Sequence, residues 1–479
     1  MDMNHSLDAA DFDFVVLGGG SAGYAAARTA AALGLRTAVI DGADELGGLC
    51  ILRGCMPSKS LIESANRALS VRRAAEFGVQ ANLQGVDHPA VRERKRRLVA
   101  DFAGYRQDQL ADGRFELIRG MARFLDTHRL AVTLREPGAP REISFRSCLI
   151  ATGSTISQPA VPGLAEAGFW TSDTVLDAAH LPASWIVLGG GAIALEMAHY
   201  LDGVGCTVTV IQRSPHLLTG MDHDVGDVVA TAFQHRGMSV HCGTTLMRVE
   251  TTPDGQKQVV FQKNEVEQTV TAAEILVALG RRPATAMLGL DAAAVEMENG
   301  RVMSLATQQT SQPHIFAAGD VCGPVEVVHL AIQQGELAAR NAAAWLRGEK
   351  AKEKMDYRLA LFGVFTHPQA AQVGLTEWEA ARDGRAVHVA RYPFDDHGKS
   401  MVMGETEGFV KLIGDAMTGE ILGASAVGPE AVEIIHSMVV AMHFRCTAAE
   451  FLKIPLYHPT LSEIWSYPAE EIAEAVAAA

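Results

Sequence analysis

Two cysteines five positions apart, Cys50 and Cys55, are the residues of this 479-residue chain best suited to do chemistry. They stand in Gly47-Gly48-Leu-Cys50-Ile-Leu-Arg-Gly-Cys55-Met-Pro-Ser-Lys59. Residues five apart on a straight helix rise about 7.5 Å, and a disulfide needs Cα atoms within about 7 Å. A regular helix would therefore strain a bridge between them. Gly54 permits an irregular turn, and Pro57 suits the first turn of a following helix. Cys55 then falls near a helix N-terminus, which together with Lys59 stabilises its thiolate. The pair reads as redox-active. Zinc is the rival, but a lone Cys-x4-Cys lacks two further ligands at close spacing, and no metal site is expected. The other cysteines, Cys148, Cys206, Cys242, Cys322 and Cys446, are isolated, and the total of seven is odd. That is unlike a secreted disulfide framework and points to a reducing, cytoplasmic compartment.

Two glycine-rich turns offer sites for dinucleotides. Gly18-x-Gly20-Ser21-x-Gly23 follows the apolar run 14–17 and opens a small-residue helix, so a pyrophosphate would rest on free N–H groups at a helix start. Asp41 ends the next strand, where an acid accepts hydrogen bonds from ribose hydroxyls. The same strand, glycine turn, helix and strand return at 185–211 with Gly189-x-Gly191-Ala192-x-Ala194, an internal duplication of a βαβ unit. There the second strand ends not on an acid but on Gln212-Arg213. Arginine favours a 2′-phosphate and glutamine can serve a ribose hydroxyl, so NADPH is expected over NADH.

The elements that must position these residues are those of a modular α/β protein. The length exceeds one hydrophobic core, and 48% apolar with 20% charged residues is ordinary for a globular chain. The net charge of −15 excludes nucleic acid as an expected partner. The basic cluster Arg92–Arg97 reads as a solvated helix face. The run Met1–Asp8 lacks the pattern of a secretory signal, and no apolar run is long enough to cross a bilayer, so no membrane is expected. Buried strands are expected at 274–279 and 314–318, and short strands of a separate α+β domain at 362–365, 408–413 and 421–427. The alanine-rich tail 470–479 reads as a fraying terminal helix.

Taken together, Gly47-Gly-x-Cys-x4-Cys-x-Pro-Ser-Lys59 resembles the active-site signature of class I pyridine nucleotide-disulfide oxidoreductases, and within them the dihydrolipoamide dehydrogenases. Leu149-Ile-Ala-Thr152-Gly153-Ser154, Val277-Ala-Leu-Gly280-Arg-Arg-Pro283, Ile315-Phe-Ala-Ala-Gly319-Asp320 and Val364-Phe-Thr-His-Pro368 resemble further segments of that family. The resemblance implies two Rossmann-like domains, for FAD and NAD(P), and a C-terminal α+β dimerisation domain. It divides the chain at 1–155 (FAD, first part), 156–284 (NAD(P)), 285–354 (FAD and central, second part) and 355–479 (interface). It assigns Gly18, Gly20, Ser21, Gly23, Asp41, Gly47, Gly48, Lys59, Ala122, Thr152, Gly153, Gly319, Asp320 and His329 to FAD. Gly189, Gly191, Ala192, Glu196, Gln212, Arg213 and Gly280 go to NAD(P). Lys59 matches the lysine near flavin N5 and Glu196 its ion-pair partner.

The same resemblance gives the parts their roles. Cys55 is the flavin-facing sulfur, and Cys50, at the turn and more exposed, is the interchange thiol. His458-Pro-Thr-Leu-Ser-Glu463 is similar to the motif that reaches the other subunit's cysteines, with His458 as acid and base oriented by Glu463. A homodimer with a shared active site follows. The substrate is a small disulfide or dithiol, best matched by lipoamide, or a separate lipoyl protein. Departures are Leu49 and Leu52 beside the cysteines, Ala192 where the nicotinamide pocket is usually gated, and Tyr457 before the histidine. The alternatives are an NADPH-dependent reductase of another small disulfide, a reductase of a metal ion like mercuric reductase, and a non-catalytic flavin-binding subunit. The transhydrogenases would not need Cys50, and no cysteine beyond Cys446 matches the C-terminal pair of mercuric reductase.

Overall fold

A computed structural model describes residues 10–136 and 138–478; the run Met1–Asp8 lies outside them. Contacts divide the chain into two units, 1–57 with 95–157 and 281–356, and 58–94 with 158–280 and 357–479.

In the first unit a parallel sheet runs in the spatial order Glu116–Phe124, Thr37–Asp41, Phe12–Leu17, Arg141–Ile150, Ile315–Ala317. Phe14, Val15, Val16, Val39, Leu149 and Phe316 are fully buried, as strands covered on both faces must be. Helices Ser21–Ala32 and Val328–Leu346 cover one face with alanines, a choice that lets backbones approach: a side chain at Gly335 would stand 2.2 Å from Ala22 O. The antiparallel strand Arg129–Leu134 joins the other face.

The second unit repeats the arrangement with Ser239–His241, Thr207–Ile211, Ser184–Leu188, Glu274–Val277 and Trp170–Thr171 in parallel. A three-stranded antiparallel sheet, Thr244–Thr251 to Val266–Ala272, is an insertion that the sequence pattern did not announce. Its C-terminal part is an antiparallel sheet in the order Leu361–Val364, Gln369–Gly374, Ile421–Gly428, Phe409–Asp415, Val387–Pro393. Trp465, Ala469 and Ile472 seal it. The terminal helix Ser466–Ala478 is thus anchored by Ile472, not a fraying end. Nor is the basic cluster wholly solvated: Lys95 is buried and Arg94 Nη1 donates to Ser60 Oγ at 3.1 Å.

One packing seam in this unit positions a candidate site. Residues 58–73 of helix Cys55–Arg73 lie against helix Ala192–Gly203, with Leu61, Ile62 and Ala65 in one core with Leu195, Ala198 and Leu201. Three polar rungs cross the seam. Lys59 Nζ donates to both carboxylate oxygens of Glu196 at 2.8 Å, Asn66 Oδ1 meets His199 Nε2 at 2.8 Å, and Arg72 Nη1 donates to Gly203 O at 3.0 Å. A β-carbon at position 203 would lie 2.5 Å from Ala65 Cβ, so glycine sets the separation. Gly203→Val should force the helices apart at a cost of about 1–3 kcal/mol, with Gly203→Ala intermediate. Thermal denaturation of both variants checks the ranking, and wild-type stability in the valine variant would refute it.

Candidate active site

The cysteines lie on two helical segments with a break between them. Cys50 is in Gly48–Leu52, and Cys55 is the first residue of Cys55–Arg73. The chain leaves helical geometry at Arg53, whose φ is −143°. A side chain on Gly54 would stand 3.0 Å from Leu49 O and 3.1 Å from Cys50 Cα, so the tight turn needs glycine. Both cysteines are half-buried, and exposure in one subunit does not separate their roles. Burial raises the thiols of Cys148, Cys206, Cys242, Cys322 and Cys446, as expected of inert structural cysteines.

The first glycine turn meets this cysteine segment. Gly20 precedes helix Ser21–Ala32 in an extended conformation, and a β-carbon on Gly48 would lie 2.7 Å from Gly20 Cα. Gly23 sits so close to Gly18 that a side chain would penetrate Gly18 O. The result is a cradle of bare backbone at a helix N-terminus, which fits the pyrophosphate of a dinucleotide. Asp41 accepts the Gly19 N–H through Oδ2 and the Ala43 N–H through Oδ1, both at 2.8 Å. Its remaining lone pairs are free to take ribose hydroxyls. Two arginines that sequence reading missed brace this loop: Arg119 Nε donates to Asp41 O at 3.3 Å and Arg135 Nη1 to Asp44 O at 2.7 Å.

Distant segments complete the edge of the cradle. Ser154–Ile156 pairs with Arg281–Pro283, and Thr152 Oγ1 donates to Ala284 O at 2.9 Å while the Ala284 N–H donates to Gly153 O. Asp320 Oδ2 accepts from Ser154 Oγ at 2.6 Å, and that hydroxyl in turn accepts from Arg281 Nε at 2.8 Å. The Gly319 N–H donates to Gln334 Oε1 at 2.7 Å. Gln334, Ser154 and Arg281 were not assigned from sequence, being far along the chain from the groups they hold. His329 is exposed in the first turn of helix Val328–Leu346, and Ala122 is in the apolar core of strand Glu116–Phe124, so only its backbone is open to a ligand.

In the second unit Gly191 precedes helix Ala192–Gly203, with Gly189 and Gly280 in positive-φ turns. Gln212 covers Gly190 so closely that a β-carbon there would lie 2.9 Å from Gln212 Cδ, just as Asp41 covers Gly19. Gln212 Oε1 accepts the Arg213 N–H, and the exposed Arg213 has no carboxylate at ion-pair distance among the described residues. Ala192 is exposed at the helix start. Glu196, with its side chain 6% exposed, takes the Phe365 N–H at 3.1 Å besides Lys59, and the Phe365 ring lies 4.6 Å from Lys59 Nζ. Phe365 was missed as a positioning residue because it is 169 residues from Glu196.

Behind that pair lies a buried polar network. Arg236 Nη1 donates to His199 Nδ1 at 3.1 Å and to His367 O at 2.9 Å, and Arg73 Nη1 meets His367 Nε2 at 3.0 Å. Since guanidinium only donates, His199 carries its proton on Nε2, facing Asn66. Burial, with Arg236 beside it, holds His199 well below the usual histidine range. Burial and the neighbouring Arg236 and Arg73 push His367 down to about 4.

His458 and Glu463 come together as a pair. His458 Nδ1 donates to Glu463 Oε1 at 3.1 Å and Oε2 at 3.0 Å. The carboxylate can only accept, so Nε2 is the free, basic nitrogen. The histidine side chain is 80% exposed and the glutamate 13%. Tyr457 beside it is 82% exposed. A base held from behind and open in front is suited to proton exchange with a group that reaches its exposed side.

The family model described as pyridine nucleotide-disulphide oxidoreductase matches residues 12–335, and the model of that family's dimerisation domain matches 362–469. The chain is 34% identical to the dihydrolipoyl dehydrogenase of Chlorobaculum tepidum, covering 95% of this chain and 96% of that one. It is 33% identical to that of Bacillus subtilis, with the same coverage. Among solved structures, the Cu(II) complex of the HOCl-induced flavoprotein disulfide reductase RclA from Escherichia coli superposes with a TM-score of 0.83. That match is at 27% identity and covers 96% of this chain and 99% of that one.

The buried histidines give a sign to the pH dependence of stability. His199 and His367 are neutral in the fold and titrate near 6.5 once unfolded, so below that pH the unfolded state binds more protons. Their contribution is complete above about pH 6.5 and is lost as pH falls below it, for His367 toward its folded value of about 4. Melting temperatures should therefore drop between pH 6.5 and 5, and the His199→Gln variant should show a shallower fall. Parallel curves for variant and wild type would count against it.

Proposed function

From the fact that this chain belongs to the pyridine nucleotide-disulphide oxidoreductase family, we propose that its substrate is lipoamide, or a lipoyl group on a separate protein. It is an FAD-dependent disulfide oxidoreductase that exchanges electrons between NAD(P)H and a disulfide. Its dimerisation domain supports homodimer formation. FAD and NAD(P)H supply the two-electron transfer that resets the cysteine pair. The first glycine cradle with Asp41 and Asp320 would hold FAD, and the second, with Gln212 and Arg213, NAD(P)H.

The reading of the substrate is carried by the His458–Glu463 pair, together with the dihydrolipoyl dehydrogenases among the relatives. In this reading Nε2 of the other subunit's His458 first takes the Cys50 thiol proton, and the thiolate attacks one sulfur of the substrate, forming a mixed disulfide and breaking the substrate S–S bond. The sulfur that leaves takes a proton from Nε2 of the other subunit's His458. Cys55 as thiolate then attacks Cys50 Sγ, and the second substrate sulfur departs and is protonated. The pair loses two electrons and the substrate gains them. Glu463 stabilises the imidazolium and keeps its Nδ1–H turned inward.

NADPH is the preferred nucleotide in this proposal. Gln212 occupies the place that Asp41 has in the first unit, which removes the carboxylate that would repel a 2′-phosphate, and Arg213 is exposed with no ion-pair partner among the described residues. A reducing cytoplasm suits the sparse cysteine usage; among the described residues no helix is long and apolar enough to cross a membrane.

Two experiments check this. Steady-state rates with lipoamide, oxidised glutathione, Hg(II) and Cu(II), each with NADH and NADPH, should be highest for lipoamide, and another disulfide or a metal ion reduced faster would displace it. Anaerobic NADPH should produce a long-wavelength absorbance band that Cys55→Ser abolishes. In the steady-state assay Arg213→Glu should lower kcat/KM for NADPH about tenfold or more, the equivalent of a lost charge-assisted contact, and leave NADH little changed. Equal wild-type rates with the two nucleotides would sink the argument from Arg213.

A further inference from the structure

The buried side of Glu463 carries a histidine that no step above uses. His397 is 1% exposed. Its Nδ1 lies 2.9 Å from Ser400 Oγ, and its Nε2 lies 3.6 Å from Glu463 Oε1. That separation is just beyond hydrogen-bond length, and among the described residues Nε2 has no hydrogen-bond partner. A buried polar nitrogen ordinarily has a partner. The carboxylate it approaches is the one that grips His458.

The surroundings fix the ring and its tautomer. Edge-on contacts with Phe394 and Tyr467, at centroid distances of 6.5 and 6.4 Å, hold its plane. Tyr392 stacks on Tyr467 at 3.9 Å and donates its hydroxyl hydrogen to Asp396 Oδ2, so neither the phenol nor that carboxylate competes for Nε2. Ser400 is fully buried, and its hydroxyl can donate to Nδ1. Nε2 then carries the proton and points at Glu463. Burial holds His397 below the usual histidine range, against the pull of Glu463. The ring is therefore a neutral donor, not a second cation.

We propose that His397 is a positioning residue for the His458–Glu463 pair, its Nε2–H closing onto Glu463 Oε1 to hold the carboxylate against His458. The inference rests on the reading of His458 as the base. A donor behind the carboxylate draws off part of its charge, which lowers the proton affinity of His458 and keeps Nε2 free as a base at neutral pH. It also limits the carboxylate to the rotamer in which both oxygens face Nδ1.

The test is the pH dependence of kcat and KM in the holoenzyme dimer, with lipoamide or whichever disulfide is reduced fastest in the comparison above. His397→Phe keeps a flat ring and removes the donor. Its acidic limb should move up by about half to one pH unit, so kcat at pH 6 falls about three- to tenfold with KM unchanged. His397→Gln, which sets an amide N–H near the Nε2 position, should return the limb to its wild-type place. Ser400→Ala releases Nδ1 to carry the proton and should shift the limb in the same direction, which keeps the test open if the phenylalanine variant does not fold. An unmoved limb in Ser400→Ala or in folded His397→Phe overturns the proposal, as does an equal shift in His397→Gln. His458→Gln separates the premise: if the limb survives in that variant, the assignment of the base has failed and the role of His397 falls with it.

Discussion

The ion pair between Lys59 and Glu196 is the constraint around which the second unit is arranged. A carboxylate with 6% of its side chain exposed is costly unless it is paired and hydrogen-bonded. Glu196 meets that condition with two bonds from Lys59 and one from the Phe365 backbone. These bonds exist only at the helix separation that Gly203 and Ala65 permit. The Phe365 ring, set against Lys59 Nζ, keeps the ammonium from swinging to solvent. Cys55 opens the helix that carries Lys59 one turn later.

The two glycine turns show how one backbone solution is given two chemistries. Both use a bare strand-to-helix turn that any pyrophosphate would fit. They part at the residue that ends the following strand, where Asp41 folds over Gly19 and Gln212 over Gly190. Exchanging a carboxylate for an amide of nearly the same reach preserves the cover and removes the charge. Under the proposed nucleotide preference, discrimination falls to one or two side chains and leaves the fold undisturbed.

What could be read from the sequence follows the range of the interaction. The cysteine break at Gly54 and both glycine turns involve residues within a few positions of each other, and local rules of turn and helix geometry suffice for them; the His458–Glu463 pair was legible only through the family resemblance. The parallel strands were readable because they are buried on both faces and carry unbroken apolar runs. Contacts across the chain were not. Phe365 at Glu196, Asn66 at His199, the chain from Arg281 through Ser154 to Asp320, and His397 at Glu463 depend on which segments the fold brings together, and nothing in their spacing marks them. The terminal helix misled for the same reason. Its alanines give helix propensity, but Ile472 decides that it is anchored, and that depends on the surface of Gly414 beneath it.

The exposure gradient across His458 and Glu463 bears on substrate choice. The imidazole is 80% exposed while its carboxylate is 13% exposed and the histidine behind that is 1% exposed. Polar support is thus concentrated on the inner side, and the outer side is bare in one subunit. A base left open to water would be hydrated and a poor discriminator among thiols. In the proposed dimer the covering surface comes from the other chain, and the walls of the disulfide channel are then the residues that stand out around Nε2. Tyr457, at 82% exposure, is the largest of these and is adjacent to the base. Proton transfer and substrate selection can for that reason be altered separately, the first from behind the base and the second from in front of it.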